Sequence, residues 1–165
     1  MSDSKRAANL LGHILITLVG KECWSLTASA GGSLSLQFGE KLPMPRPLRN
    51  KHLTEEERTH EGELTVFLSC AWRLDGVGDI LAVWSDPTPT DSPLPLGTEC
   101  IKGTRVVSAR VAGPAYDLEL QFEGDRWLKA FCDQPISEEV RPNYTASIRK
   151  STVVVGSRGK LTVEP

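Results

Sequence analysis

The sequence predicts an α+β chain that is mostly β. A short N-terminal helix precedes two related antiparallel β units that share one core, as a pseudo-twofold sandwich or half-barrel. Three observations predict this. A Leu-x-Leu-Gln-Phe segment occurs twice, as Leu34-Ser35-Leu36-Gln37-Phe38 and Leu118-Glu119-Leu120-Gln121-Phe122. Both copies alternate apolar and polar residues, the period-2 signature of a half-buried strand. Each copy is preceded by a glycine-led segment, Gly20-Lys21-Glu22-Cys23-Trp24 and Gly103-Thr104-Arg105-Val106-Val107, and by a turn, Gly31-Gly32-Ser33 and Gly113-Pro114-Ala115. Glycine permits positive φ and proline blocks strand continuation, so each half opens with a hairpin.

The elements follow in order. Leu11, Ile14, Leu15 and Leu18 fall on one face of a short helix, with Asp3 or Ser4 as its cap and Gly20 as its stop. Lys5, Arg6, the apolar run from Leu10 to Val19 and Ala28-Ser29-Ala30 imitate a secretory signal. Gly12 and His13 interrupt that run, and it is too short to span a bilayer. After the first hairpin, a strand is predicted from Leu64 to Trp72 and another from Ile80 to Ser85. In the second half the third strand is Arg126 to Cys132. Ser151 to Val155 and Lys160 to Val163 form a closing hairpin across Gly156-Ser157-Arg158-Gly159.

Residues 40–62, with Pro43, Pro45, Pro47 and the run Glu55-Glu56-Glu57-Arg58, read as a long loop. Pro87, Pro89, Pro93 and Pro95 mark a proline-rich connection over 87–98 between halves at about 18–86 and 101–165. Either half alone would have a marginal core. The expectation is therefore a single domain over 1–165 in which the halves share an interior.

The chain has 165 residues, a formal net charge of -2, 39% hydrophobic and 24% charged residues. That composition is globular, and it excludes a disordered tail and a strongly basic nucleic-acid binder. Cys23, Cys70, Cys100 and Cys132 are widely spaced, with no Cys-x-x-Cys pair. They read as small buried apolar residues, neither zinc ligands nor a disulfide framework.

Candidate chemistry is sparse. His52, His60 and Glu56 suggest a metal site only on paper, because loop ligands lack the fixed spacing a helix supplies. A solvated loop is the simpler reading, and no metal or cofactor is expected. Neither a Gly-x-Ser-x-Gly elbow nor a phosphate-binding Gly-x-x-x-x-Gly-Lys-Ser/Thr loop occurs. No catalytic residue is assigned, and a non-enzymatic role is favoured. Trp72-Arg73-Leu74-Asp75 is the sharpest local feature. Tryptophan and arginine are enriched at binding hot spots, and arginine binds carboxylates bidentately. Trp72, Arg73, Asp75 and Asp86 are the candidate binding residues. The structural alternative pairs Arg73 with Asp75 or Asp86 while Trp72 packs at the core edge. Trp24, Trp72, Trp84 and Trp127 are all expected on strands, and would make a ligand platform only if they shared an exposed face.

Leu34 to Glu40 (LSLQFGE), Glu61 to Asp75 (EGELTVFLSCAWRLD) and Ile80 to Asp86 (ILAVWSD) resemble a family of small bacterial proteins of unknown function. Its members share a Cys-Ala-Trp-Arg-Leu strand and a duplicated Leu-x-Leu-Gln-Phe strand. The resemblance spans roughly Leu10 to Pro165. It departs between the halves, where the family carries a short helix and Pro89 to Leu96 here resists one. It implies a bacterial, cytoplasmic, single-domain protein and lends no activity and no site residues. The functional expectation is a non-catalytic protein-binding or immunity-like accessory protein with a protein partner, and with no nucleic-acid or membrane target. The alternative is a small-molecule binder or enzyme with a cleft between the halves. Self-association through strand edges is a third expectation.

Overall fold

Alternating apolar residues can bury one face of a sheet only against a second layer. The computed structural model of the chain describes residues 1–28, 30–87, 97–137 and 141–165, and it has two antiparallel sheets packed face to face. The strands are β1 (Cys23–Ala28), β2 (Leu34–Pro43), β3 (His60–Leu68), β4 (Ala71–Asp75), β5 (Ile80–Val83), β6 (Val106–Ala112), β7 (Asp117–Phe122), β8 (Arg126–Phe131), β9 (Tyr144–Ile148), β10 (Ser151–Val155) and β11 (Leu161–Glu164). One sheet runs β1-β2-β3-β9-β10-β11 and the other β5-β4-β8-β7-β6.

The order shows how the halves interlock. The first half lays the meander β1-β2-β3 into the six-stranded sheet, then crosses to add β4-β5 to the other. The second half lays β6-β7-β8 into the five-stranded sheet, then crosses to add β9-β10-β11 to the first. Each meander is therefore completed by strands of the opposite half. β3 pairs with β9 and β4 pairs with β8.

Backbone hydrogen bonds repeat across this pseudo-axis. The Lys21 N–H donates to the Leu18 carbonyl at 3.0 Å, as Thr104 does to Ile101 at 3.0 Å. Gly39 donates to Glu22 at 3.0 Å, as Glu123 does to Arg105 at 3.0 Å. Gly20 and Gly103 take the same left-handed turn, at φ of 87° and 88°, which favours glycine. Trp24 and Val107 are both skipped by the register, as matching bulges. On the axis itself Glu22 bridges Arg105, so the starts of β1 and β6 join the two sheets along one edge.

The echoed strands meet inside. Leu34, Leu36, Phe38, Leu118, Leu120 and Phe122 all face the interior and are buried. The Phe38 and Phe122 rings stack with centroids 6.4 Å apart and planes 14° from parallel. Helix α1 (Asp3–Leu18) covers the side next to β11, β6, β9 and β10 with Ala7, Leu11, Ile14, Leu15 and Leu18. The turn carrying Ile101 occupies the equivalent place in the other half, and Leu18 and Ile101 are both fully buried. No described helix is long and apolar enough to cross a membrane.

Several sequence expectations are corrected. Ser2 caps α1, its hydroxyl accepting from the Lys5 N–H at 3.3 Å, where Asp3 or Ser4 was expected. The strand expected from Leu64 to Trp72 is two strands in different sheets, broken at Ser69-Cys70. β5 ends at Val83, so Trp84 and Ser85 lie in a turn. The loop expected over 40–62 is shorter. β2 continues to Pro43, and Glu55–Thr59 form a one-turn helix, α2. Thr54 and Glu57 close a capping box on it, which explains an acidic run at a helix start. β9 had not been expected. Ser29, residues 88–96 of the proline-rich connection and 138–140 lie outside the described residues, so the reading of Pro89 to Leu96 does too.

Because the phenylalanine stack joins the halves, Phe122→Ala is expected to cost about 3–5 kcal/mol. Urea unfolding should remain a single transition with a lowered midpoint. Two separated transitions would mean that the halves fold apart.

Candidate functional site

The strand register of the five-stranded sheet places its charged residues in a line. Alternation sends Trp72, Leu74, Leu128, Ala130, Leu118 and Leu120 inward, so their neighbours face outward. Across the strands, Val83 stands beside Arg73, Arg73 beside Lys129, Lys129 beside Glu119 and Glu119 beside Arg110. The next row sets Asp75 beside Trp127 and Trp127 beside Gln121.

The charges on this face are held in fixed geometry. The Arg73 guanidinium donates from Nε to Asp75 Oδ1 at 2.6 Å and from Nη2 to Oδ2 at 3.1 Å. Lys129 Nζ lies 3.3 Å from Asp75 Oδ2. Arg110 pairs with Glu119. Each arginine also stands over an aromatic ring, Arg73 over Phe131 at 5.5 Å and Arg110 over Trp127 at 5.2 Å. The Arg73 hydrogen bonds hold the Asp75 carboxyl below its usual range. Partial burial opposes them, and Lys129 adds to the lowering. Phe131 is 38% exposed, so an aromatic surface remains open beside Arg73.

The opposite outer face differs in chemistry. On the six-stranded sheet the rows read Gln37, Thr65, Ser147, Thr152 and Ser35, Phe67, Thr145, Val154. These are uncharged and mostly hydroxyl-bearing. Charge on this sheet gathers instead around Glu63, beyond these rows, which pairs with Lys21 at 2.8 Å and Arg149 at 3.7 Å.

The four candidate binding residues divide. Arg73 and Asp75 stand together on the charged face. Trp72 is 2% exposed, and its indole Nε1–H donates to the Gly32 carbonyl at 2.8 Å, so it is a core side chain that ties β4 to the first hairpin. Asp86 accepts from the Val83 N–H at 2.9 Å and closes the turn after β5. Of the two partners weighed for Arg73, the structure selects Asp75. The tryptophans share no face. Trp24 is buried, Trp84 is exposed in a turn and Trp127 is half-buried on β8.

Sequence reading missed Arg110, Glu119, Lys129 and Phe131 as neighbours of Arg73. Alternation alone marks Glu119 as a polar position of its strand, while the inward face of the strand carrying Trp127 and Lys129 is not fixed by the sequence. The alignment of Glu119 and Lys129 with Arg73 depends on β4 pairing with β8, which joins residues from different halves.

Open surface depressions occur among the described residues. One of about 390 Å³ is lined by Arg73, Asp75, Gly76, Gly78, Asp79 and Ile80. Another of about 560 Å³ lies between Leu42, Glu61 and Arg149 at the far sheet. Two of the three residues considered for metal binding are engaged elsewhere. Glu56 pairs with Lys41 at 2.8 Å, and His60 contacts the Thr59 hydroxyl. Among the described residues no three His, Cys, Asp or Glu side chains converge to hold a metal ion. Comparison with family models, curated proteins and solved structures finds no match.

The lowered Asp75 carboxyl makes a pH prediction. Its ordinary value is 3.8, and the folded value lies below that. The pair therefore adds stability that is present above pH 3.8 and fades as pH falls through the folded value. In carbon-detected NMR, the Asp75 midpoint should rise in Arg73→Leu, with less loss of stability in acid than the parent shows. An unmoved midpoint would remove the ion pair from the account.

Proposed function

We propose that the chain is a non-catalytic accessory protein, immunity-like in kind, that holds a protein partner on the outer face of its five-stranded sheet. The reading places it in the cytoplasm of a bacterium. The observation that carries it is the paired arginine and aromatic set, Arg73 over Phe131 and Arg110 over Trp127, on an antiparallel face where these side chains remain partly exposed among the described residues. Interface cores are enriched in aromatic residues and arginine, and hot spots in tryptophan and arginine. The side chains are already held by Asp75 and Glu119, so little rotamer freedom is lost on docking. Exposed ion pairs contribute about 0–1 kcal/mol to stability, so folding alone gives weak reason for such a cluster.

A small-molecule cleft between the halves has less support. The space on the pseudo-axis is filled by the stacked Phe38 and Phe122 rings, and Trp72 is packed in the interior. The described depressions lie at the surface.

The test is quantitative affinity capture from cells of the source organism with three baits: the parent chain, Arg73→Ala/Phe131→Ala and Thr145→Ala on the opposite face. A stoichiometric partner should be retained by the parent and by Thr145→Ala. The double substitution should weaken it by at least about 30-fold, the loss of one hot-spot residue. A partner held equally by all three would move the interface elsewhere. No stoichiometric partner would sink the protein-binding reading.

A further inference from the structure

The crossovers that exchange strands between the sheets bring two cysteines together. β4 and β8 pair with Ala71 opposite Phe131 and Trp72 opposite Ala130. Carried one residue further, that register sets Cys70 opposite Cys132. The chain on either side is clasped by hydrogen bonds. Gln134 Nε2 donates to the Ser69 carbonyl at 2.6 Å, and the Ala71 N–H donates to Asp133 Oδ1 at 3.4 Å. Cys70 and Cys132 share the inward parity of Trp72 and Ala130, so both side chains point to the same side of the sheet. Facing residues of an antiparallel pair have Cα atoms roughly 4.5–5.5 Å apart, within the roughly 4.4–6.8 Å that a disulfide bridges.

The thiols sense each other. The neighbouring Cys70 is the largest of the influences that raise the Cys132 thiol far above its ordinary range, ahead of burial and the Asp117 carboxylate. Cys70 is buried and Cys132 is partly exposed, so a reagent reaches Cys132 first. The remaining cysteines are placed differently. Cys23 is fully buried with its thiol raised to about 12, and the Cys100 thiol contacts the Gly97 carbonyl.

We propose that Cys70 and Cys132 form a redox pair, converted by a low-molecular-weight disulfide into an intramolecular cystine that staples the two crossovers. The thiolate of Cys132 attacks one sulfur of the small disulfide, RSSR. The S–S bond breaks, RS⁻ leaves and takes up a proton, and Cys132 carries a mixed disulfide. Cys70 then attacks the Cys132 sulfur, expelling the second RS⁻, which is likewise protonated. The two cysteines lose two electrons and two protons, and RSSR becomes two RSH. The bond closes a long loop that joins the halves. Such a link raises stability chiefly by restricting the unfolded chain.

The experiment incubates the full chain with excess oxidised glutathione at alkaline pH over hours, because the raised Cys132 thiol supplies little thiolate and exchange is slow. Free thiols are then titrated and peptides mapped. Two of the four cysteine thiols should be lost. A single Cys70–Cys132 peptide should appear, and dithiothreitol should reverse it. The midpoint of thermal unfolding should rise by roughly 5–15 °C. Cys132→Ser, a change at a half-exposed position, should fold and show neither the peptide nor the rise. A lasting glutathione adduct on Cys132, retention of all thiols, or a lowered midpoint on oxidation would each overturn the proposal.

Discussion

The structure depends on one shared interior that neither half can make alone. Each half builds a meander whose apolar side is closed only by the other meander, with Phe38 on Phe122 at the centre. A unit of about 80 residues has little surface to bury by itself. Exchange of the following strands enforces the sharing. β3 has no outer neighbour until β9 arrives from the second half, and β8 has none until β4 arrives from the first. Removal of either half would leave an unpaired strand edge as well as an open core, and exposed edges invite association. At the other side of each meander, the Glu22 to Arg105 bridge joins the free edges of β1 and β6.

The charged face inherits this arrangement. Arg73 belongs to the first half, while Lys129, Glu119 and Arg110 belong to the second. They stand in one row only because β4 is paired into the second half's sheet. The same crossing explains why Trp72 turns inward. Its indole reaches the Gly32 carbonyl of the first hairpin, which lies on the opposite sheet. Gly32 sits against the Trp84 backbone, where a Cβ would fall 2.6 Å from the carbonyl oxygen, so the hairpin turn and the turn after β5 are fitted to each other.

What the sequence revealed and what it hid follow from the range of each interaction. Local alternation is written within a strand, so the Leu-x-Leu-Gln-Phe copies, the third strand of the second half and the closing hairpin were legible. The helix face through Leu11, Ile14, Leu15 and Leu18 was legible for the same reason. The break at Ser69-Cys70 was not, because the apolar parity of Leu68, Cys70 and Trp72 runs unbroken through the change of sheet. β9 was obscured because Tyr144-Thr145-Ala146-Ser147-Ile148 alternates with small residues and weak contrast. In the candidate site, the Arg73 and Asp75 pair was readable from i, i+2 spacing on one strand face. Lys129, Glu119 and Phe131 were not, since cross-strand neighbours are set by pairing partners far away in sequence.

Pseudo-symmetry also explains why residues far apart in sequence meet in pairs. A position near a twofold axis lies near its own counterpart, whatever the chain length between them. Glu22 and Arg105 meet this way through the backbone, Phe38 and Phe122 through their rings, and Cys70 and Cys132 at the crossovers. The two cysteines follow the paired strand ends Leu68 and Ala130 by the same two residues, and these strand residues face the equivalent Leu34 and Leu118. Their juxtaposition is thus a geometric consequence of the exchange of strands. It needs no local sequence signal, which is why four widely spaced cysteines gave no hint of a pair. A covalent bond placed there would act on the one relation that the fold cannot lose, the docking of one half against the other.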